Sequence, residues 1–177
     1  MRKTKISPWT NEWEKLYRLE EKVLRSLFND ELIDIIHIGS TSIPPVGYAK
    51  PIIDILIVVR NIESVDTYND KLELIGYEPK GEFGISGRRY FPKGKDNRSH
   101  HVHIFQAGNQ AIQAHLDFKE YLLAHPLEAK KYGEVKRELA KKFPQNTYQY
   151  QDGKEQFVNE LVKKADVWSA KRIGEYK

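Results

Sequence analysis

The sequence predicts an α+β fold, an α/β two-layer arrangement in which a mixed β-sheet has flanking helices and is followed by a C-terminal helical segment. Three patterns predict it: apolar residues at helical spacing over 9–28, a nearly continuous apolar run over 51–59 that is typical of a central strand, and helical periodicity from about 110 to 171. A chain of 177 residues suits one compact domain. We therefore predict a single domain over 1–177, with its sheet region at about 30–106.

The individual elements follow from their own residues. In the first helix, apolar side chains recur every three or four positions and predict one buried face, formed by Trp13, Leu16, Leu19, Val23 and Leu27. Short apolar or β-branched runs predict the strands, and we expect the later ones to pair antiparallel beside the central strand. In chain order we predict helix 9–28, strand 33–38, strand 51–59, helix 62–75, short strands near 77–79, 88–91 and 100–105, and helices at roughly 110–124, 127–142 and 153–171.

Composition narrows the class of protein. The apolar fraction of 40% and charged fraction of 31% are ordinary for a globular protein, and no run approaches the ~20 apolar residues of a membrane span. We therefore expect a cytoplasmic protein without a membrane partner. The absence of cysteine leaves carboxylates, histidines and hydroxyls for chemistry. A net charge of +4 suits an anionic ligand, but the basic residues are dispersed, which makes nucleic acid the least favoured partner.

The segment Gly39-Ser40-Thr41 is a candidate phosphate cradle. It follows an apolar strand, and backbone N–H groups and hydroxyls after a glycine can bind a phosphate. The alternative is that the serine and threonine only shape the loop.

Asp54 favours a functional site at the central strand. A carboxylate inside an Ile/Leu/Val strand costs several kcal/mol unless it is paired, hydrogen-bonded or bound to a cation. Its position predicts contact with a metal or substrate, and an ion pair with Lys50 or an arginine is the alternative. Leu56 and Val58 share its face, so this strand supplies no second carboxylate.

Two histidines and two arginines complete the candidate set. The period of two in a strand places His101 and His103 on one face, where imidazoles can ligate a metal, move a proton or contact a phosphate. The alternative is the polar face of an edge strand. Arg88 and Arg89 point to opposite faces of their strand, so at most one of them joins the site.

These residues lie in longer motifs that resemble a known family. His37-Ile-Gly-Ser-Thr-Ser-Ile-Pro, followed by Ala49-Lys-Pro-Ile-Ile-Asp-Ile, resembles the signature of the GrpB-like family, a branch of the nucleotidyltransferase superfamily. Arg89-Tyr-Phe, His101-Val-His-Ile-Phe and His115-Leu-Asp-Phe-Lys-Glu-Tyr resemble later blocks of that family. The resemblance covers about residues 9–165.

The resemblance implies a nucleotidyltransferase-like fold and a nucleotidyltransferase. Its expected ligands are a nucleoside triphosphate, or another phosphorylated small molecule, and a divalent metal, Mg²⁺ or Mn²⁺. In that function Asp54 holds the metal and His101 or His103 activates the acceptor. The phosphates are contacted by Gly39, Ser40, Thr41, Lys50, Arg88 and Arg89.

Leu56 departs from the superfamily pattern, because it occupies the place of the second carboxylate. Glu78 and Glu82 are the nearby acidic residues that could replace it. The departure leaves two alternatives open. One is a catalytically silent nucleotide- or anion-binding protein, and the other is a hydrolase with a single metal ion such as Zn²⁺, held by Asp54, His101 and His103.

Overall fold

The computed structural model describes residues 4–175, which form a mixed α+β fold, as predicted. The helices are α1 (Glu12–Phe28), α2 (Asn69–Leu74), α3 (Gln110–Ala124), α4 (Pro126–Lys142) and α5 (Thr147–Glu175). The strands are β1 (Ser7–Pro8), β2 (Leu32–Ile38), β3 (Tyr48–Ala49), β4 (Ile53–Val59), β5 (Arg88–Lys93) and β6 (His100–Gln106).

The chain folds into two compact units. The sheet unit consists of Asn11–Gly39 and Ile52–Gln113, and the helical unit consists of the residues up to Thr10, Ser40–Pro51 and the chain from Ala114 onward. A single domain over 1–177 stays a prediction, and residues 1–3 and 176–177 of that range lie outside the described residues.

The sheet unit is built on strands in the order β2-β4-β6-β5. β4 is an inner strand, as its unbroken apolar run predicts, and it pairs antiparallel with β2 but parallel with β6. The prediction of antiparallel pairing beside the central strand was therefore wrong for β6. A parallel pair needs a long crossover connection, and the chain between β4 and β6 supplies one that contains the 3-10 helix Glu63–Tyr68 and α2. β5 then pairs antiparallel with β6 at the edge.

The buried face of α1 differs from the prediction. Trp13 is buried as predicted, but Leu16, Leu19 and Val23 are exposed. The other buried residues of the helix are Tyr17, Glu20, Leu24 and Phe28. Two of these side chains are polar but have partners: the Tyr17 hydroxyl donates to the carbonyl of Ile35 at 3.1 Å, and Glu20 accepts from the Tyr77 hydroxyl at 2.8 Å. Apolar spacing alone cannot identify a buried face on which polar groups are satisfied by other elements.

The register of β4 and β6 determines which side chains share a face of the sheet. Asp54 lies opposite His101, and Leu56 lies opposite His103. Because side chains alternate along a strand, these four residues point to one face, and His100 points to the other. The predicted pairing of His101 with His103 on one face is confirmed.

The helical unit packs α3, α4 and α5 around the 3-10 turn Pro44–Val46. Its core residues are Ile43, Val46, Tyr121, Leu122, Ala129, Tyr132, Leu161 and Ala165. The three predicted C-terminal helices are present, but α5 begins at Thr147 rather than near 153. Asn146 explains the earlier start, because its side-chain oxygen accepts from the backbone N–H groups of Tyr148 and Gln149, each at 3.1 Å, and so caps the helix. None of the helices within residues 4–175 is long and apolar enough to cross a membrane.

Candidate functional site

The sheet unit brings three of the predicted residues together: Asp54 on β4 and His101 and His103 on β6. We call this group the Asp–His cluster. Asp54 Oδ1 lies 3.4 Å from His101 Nδ1 and 3.4 Å from His103 Nε2. The Asp54 side chain is 29% exposed, and both imidazoles are more buried than it. Both rings therefore converge on one oxygen of a carboxylate that a small ligand can reach.

Gly39 directly follows β2 and lies against Asp54 of the Asp–His cluster. It has a φ of +69°, which L-residues with a side chain rarely adopt. A Cβ at this position would lie 2.6 Å from Asp54 Oδ2, well inside contact distance. Glycine is therefore required twice, by the backbone conformation and by the close approach of the carboxylate.

Gly39→Ala is expected to destabilise the protein by more than the cost of the backbone conformation alone. A positive φ costs an alanine roughly 1–2 kcal/mol, and the contact with Asp54 adds to that cost. Gly108→Ala is the matched control in the same unit, because Gly108 also has a positive φ, +89°, but open space around its Cβ position. Urea unfolding of both variants measures the difference. Equal losses of unfolding free energy would show that Asp54 does not crowd residue 39.

The Asp54 carboxyl is ionised at neutral pH. Burial by itself raises its pKa, but the hydrogen bonds from His101 and His103, together with the charge of a protonated imidazole, outweigh burial and hold the pKa well below its usual range. The Asp–His cluster therefore contains a fixed negative charge beside two imidazoles.

The contact with Arg88 favours one tautomer of His103. Arg88 Nη1 lies 3.4 Å from His103 Nδ1. Burial lowers the pKa of the Arg88 guanidinium, and nearby Tyr90 opposes that shift. A guanidinium stays protonated in proteins and can only donate. His103 Nδ1 must then accept, so its proton lies on Nε2 and points at Asp54.

Arg88 and Arg89 have different roles in the structure. Arg88 is buried, and besides His103 it contacts two backbone carbonyls, those of Phe83 at 2.8 Å and Glu82 at 3.1 Å. Arg89 instead forms a two-point ion pair with Asp66, with N–O distances of 2.7 and 3.0 Å. One of the two arginines thus borders the Asp–His cluster, and the other is held by a carboxylate elsewhere.

Three other predicted phosphate contacts lie in the helical unit. Ser40 Oγ accepts from Lys136 Nζ at 2.7 Å. Thr41 is buried, and its carbonyl accepts from the indole N–H of Trp9 at 3.0 Å. Lys50 places its ammonium 4.3 Å from the centre of the Tyr150 ring. Of these three residues, Ser40 lies beside the ammonium group of Lys136, which is a group that can bind an anion.

Sequence reasoning missed Tyr90 and Lys136. The Tyr90 ring lies 5.6 Å from that of His101 and 5.3 Å from that of His103. Its position follows from the pairing of Tyr90 with His103 across β5 and β6, which would have identified it once the register was known. Lys136 is only 3% exposed. Nothing in the sequence distinguishes it from the many exposed lysines of the C-terminal helices.

The donors around Asp54 do not fit the Mg²⁺ or Mn²⁺ that the resemblance implies. Those ions prefer several oxygen ligands, and Leu56, with 0% exposure, occupies the position of a second carboxylate. Glu78 pairs with Lys80 and Arg98, and Glu82 accepts from the Gly87 N–H. Among the residues that the structure describes, no group of three or more His, Asp or Glu side chains is arranged to hold a metal ion. A single Zn²⁺ at the Asp–His cluster stays a prediction.

The architecture places the protein in the mixed α+β class, with a four-strand sheet, flanking helices and a helical C-terminal part. The chain belongs to the GrpB protein family, whose family model matches residues 3–164. It is similar to a crystal structure of the conserved protein GrpB from Enterococcus faecalis, with a TM-score of 0.88, 40% identity, and coverage of 93% of this chain and 99% of that one.

Two curated relatives agree with this family. The UPF0157 protein YqkA of Bacillus subtilis is 45% identical over 171 residues, which are 97% of this chain and 50% of YqkA. This chain thus spans half the length of that relative. The glutamate-rich protein GrpB of Alkalihalophilus pseudofirmus is 33% identical over 155 residues, covering 85% of this chain and 88% of its own length. A structure of Cid1 with a UTP analogue reaches a TM-score of 0.43 at 15% identity over 70% of this chain and 42% of that one, a likeness too weak to bear on function.

Proposed function

We propose that this chain is an enzyme of the nucleotidyl or phosphoryl transfer class that binds a nucleoside triphosphate or another phosphorylated small molecule. The observation that carries the proposal is the convergence of His101 and His103 on one oxygen of ionised Asp54. Such an arrangement is suited to general acid–base catalysis. The Gly39-Ser40 turn that precedes the strand of Asp54 supports the transfer class through its resemblance to the superfamily pattern.

In the proposed reaction His101 is the general base. Its Nδ1 faces Asp54, so the outer nitrogen, Nε2, takes the proton from the hydroxyl of the acceptor. The acceptor oxygen then bonds to phosphorus, and the bond from phosphorus to the leaving phosphate breaks. Asp54 stabilises the imidazolium that forms, and His103, whose tautomer Arg88 sets, donates to the same carboxylate oxygen.

Thermal melting with defined ligands tests binding. Wild type is melted with each of the four nucleoside triphosphates and with inorganic tripolyphosphate, in Mg²⁺, in Mn²⁺ and in EDTA. A ligand at 100 times its Kd stabilises the folded state by about 2.7 kcal/mol, which raises the Tm by several degrees in a chain of this size. No shift with any ligand under any of these conditions would contradict the proposal.

A catalytically silent binding protein is the second candidate. Two observations favour this candidate. Leu56 is fully buried where a second carboxylate would be needed, and the buried ammonium group of Lys136 donates to the Ser40 hydroxyl. It would show the same Tm shifts but release neither pyrophosphate nor phosphate after long incubation. Measured release of pyrophosphate or phosphate from any triphosphate would show that the protein is an enzyme rather than a silent binding protein.

A further inference from the structure

We propose that the exposed ring of Phe83, backed by the ring of Tyr90, forms a stacking surface for the planar ring of the ligand, which makes a compound with a nucleobase the expected substrate class. This inference rests on the proposed function, because it names the part of the phosphorylated ligand that the sheet unit recognises. It concerns the loop Gly81–Gly87 and the strand that follows it, β5.

The first observation is the exposure of Phe83. Its side chain is 64% exposed, although aromatic side chains of this size usually lie in a core. Phe83 also has a φ of +45°, a conformation that is unfavourable for a residue with a side chain. A strained backbone that presents a large apolar ring to solvent is maintained only where surrounding contacts enforce it.

Those contacts come from Arg88 and Glu82. The Arg88 guanidinium donates to the carbonyls of Phe83 and Glu82 from inside the loop, and the Glu82 carboxylate accepts from the Gly87 N–H at 2.7 Å. The backbone N–H of Ile85 also donates to the Glu82 carbonyl at 3.1 Å. The loop is therefore closed on itself, and Phe83 is held in place before any ligand arrives. Such preorganisation reduces the entropy cost of binding.

The second observation is the position of Tyr90. Its ring stacks on that of Phe83 with centroids 5.3 Å apart and an interplanar angle of 24°. The same ring lies against both imidazoles of the Asp–His cluster. Phe83, Tyr90 and the two histidines thus form one continuous row of rings, which starts at an exposed aromatic side chain and ends at the proton-transfer residue.

The chemistry of this surface defines what it binds. Aromatic side chains stack on every base, because each base has a π-face, and they do not read its hydrogen-bonding edge. We therefore expect nucleotides to bind better than their phosphates alone and purine and pyrimidine nucleotides to bind with similar affinity.

Calorimetric titration of the full chain tests the inference. The probes are ATP, UTP and inorganic tripolyphosphate, and the proteins are wild type, Phe83→Ala and Phe83→Tyr. We expect Phe83→Ala to weaken ATP and UTP binding about tenfold and to change tripolyphosphate binding by no more than about twofold. Phe83→Tyr keeps an aromatic ring and should bind both nucleotides as wild type does.

Ile85→Ala is the matched control, because Ile85 is an exposed apolar residue of the same loop; its affinities should equal those of wild type. Phe83→Gly removes the ring and tolerates the positive φ, so it replaces Phe83→Ala if that variant does not fold.

The outcomes separate this inference from the proposed function. If wild type binds the nucleotides and Phe83→Ala binds them equally well, the stacking surface is refuted and the proposed function stands. The same holds if Phe83→Ala loses tripolyphosphate and nucleotide affinity in equal measure. If wild type binds neither nucleotide nor tripolyphosphate, the proposed function fails and the inference fails with it.

Discussion

Replacing His101 by asparagine is expected to lower the rate of pyrophosphate or phosphate release by about 10²–10⁴-fold, the usual contribution of a general acid or base. The reason is that no other imidazole of the Asp–His cluster is poised to move a proton, since Arg88 occupies the acceptor nitrogen of His103. The Tm shift with nucleotide should persist in the variant, because the substitution leaves Phe83, Tyr90 and the fold in place. Release is measured with the triphosphate that stabilises wild type most.

A double substitution tests whether His101 and Asp54 act as one unit. Asp54→Asn removes the charge that stabilises the imidazolium and should lower the rate of release by a comparable factor. Residues that act together give losses that do not add. The variant His101→Asn/Asp54→Asn should therefore be about as slow as the slower single variant. Fully additive losses would show that the two side chains act independently and would contradict the assigned base.

His100→Asn is the matched control for the His101 substitution. His100 is the preceding residue of the same strand, and its side chain points to the opposite face of the sheet. After correction for any loss of folded protein, which a Tm measurement reports, its rate of release should equal that of wild type. A loss as large as that of His101→Asn would mean that damage to β6, rather than loss of a base, explains both variants.

Gly133→Ala is expected to cost at least about 3 kcal/mol of unfolding free energy, at the upper end of the usual cost of overpacking. A Cβ on Gly133 would overlap the carbonyl oxygen of Val46 and lie 2.8 Å from its carbonyl carbon. Both are backbone atoms, so α4 and the 3-10 turn Pro44–Val46 would have to separate. Helix propensity alone predicts the opposite sign, a gain of about 1 kcal/mol for alanine over glycine. Urea unfolding therefore decides between the two effects by the sign of the change.

Gly153→Ala provides the matched control within the helical unit. Its Cβ would approach Leu139 Cδ2 to 2.6 Å, but that atom is the end of a flexible side chain that can rotate away. The helix-propensity gain in α5 then offsets most of the cost, and we expect a change within about 1 kcal/mol. If Gly133→Ala proved as stable as Gly153→Ala, the close approach of α4 to the turn would be wrong.

Strand periodicity predicted much of the Asp–His cluster, because alternation along two strands is enough to give Asp54, His101 and His103 a common direction once the strands pair. The pairing itself was not predictable in detail, since a parallel partner depends on where the crossover helix lies. For Arg88 the sequence does not reveal the hydrogen-bond partners. The sequence gives its face but not the loop carbonyls and the imidazole nitrogen that determine its role.

In the helices, too, the sequence does not reveal which polar side chains are buried. In α1 the apolar residues Leu16, Leu19 and Val23 predicted the wrong buried face, because Tyr17 and Glu20 find hydrogen-bond partners that no periodicity reveals. In α4 the buried Lys136 has the residue type of a surface side chain and is recognisable only through its contact with Ser40. Polar groups whose partners are distant in sequence are the part of the fold that the sequence alone does not disclose.

The packing of Leu56 has a consequence for how this chain can change over evolutionary time. Leu56 stands two residues after Asp54 on the same face of the sheet, where a second carboxylate would lie beside the first, yet its side chain is fully enclosed. An ionised group there would lose its hydration, at a cost of several kcal/mol. A substitution of Leu56 by an acidic residue alone is therefore expected to be disfavoured by its effect on folding. A second carboxylate on the face of Asp54 would require a change in the packing around position 56 as well.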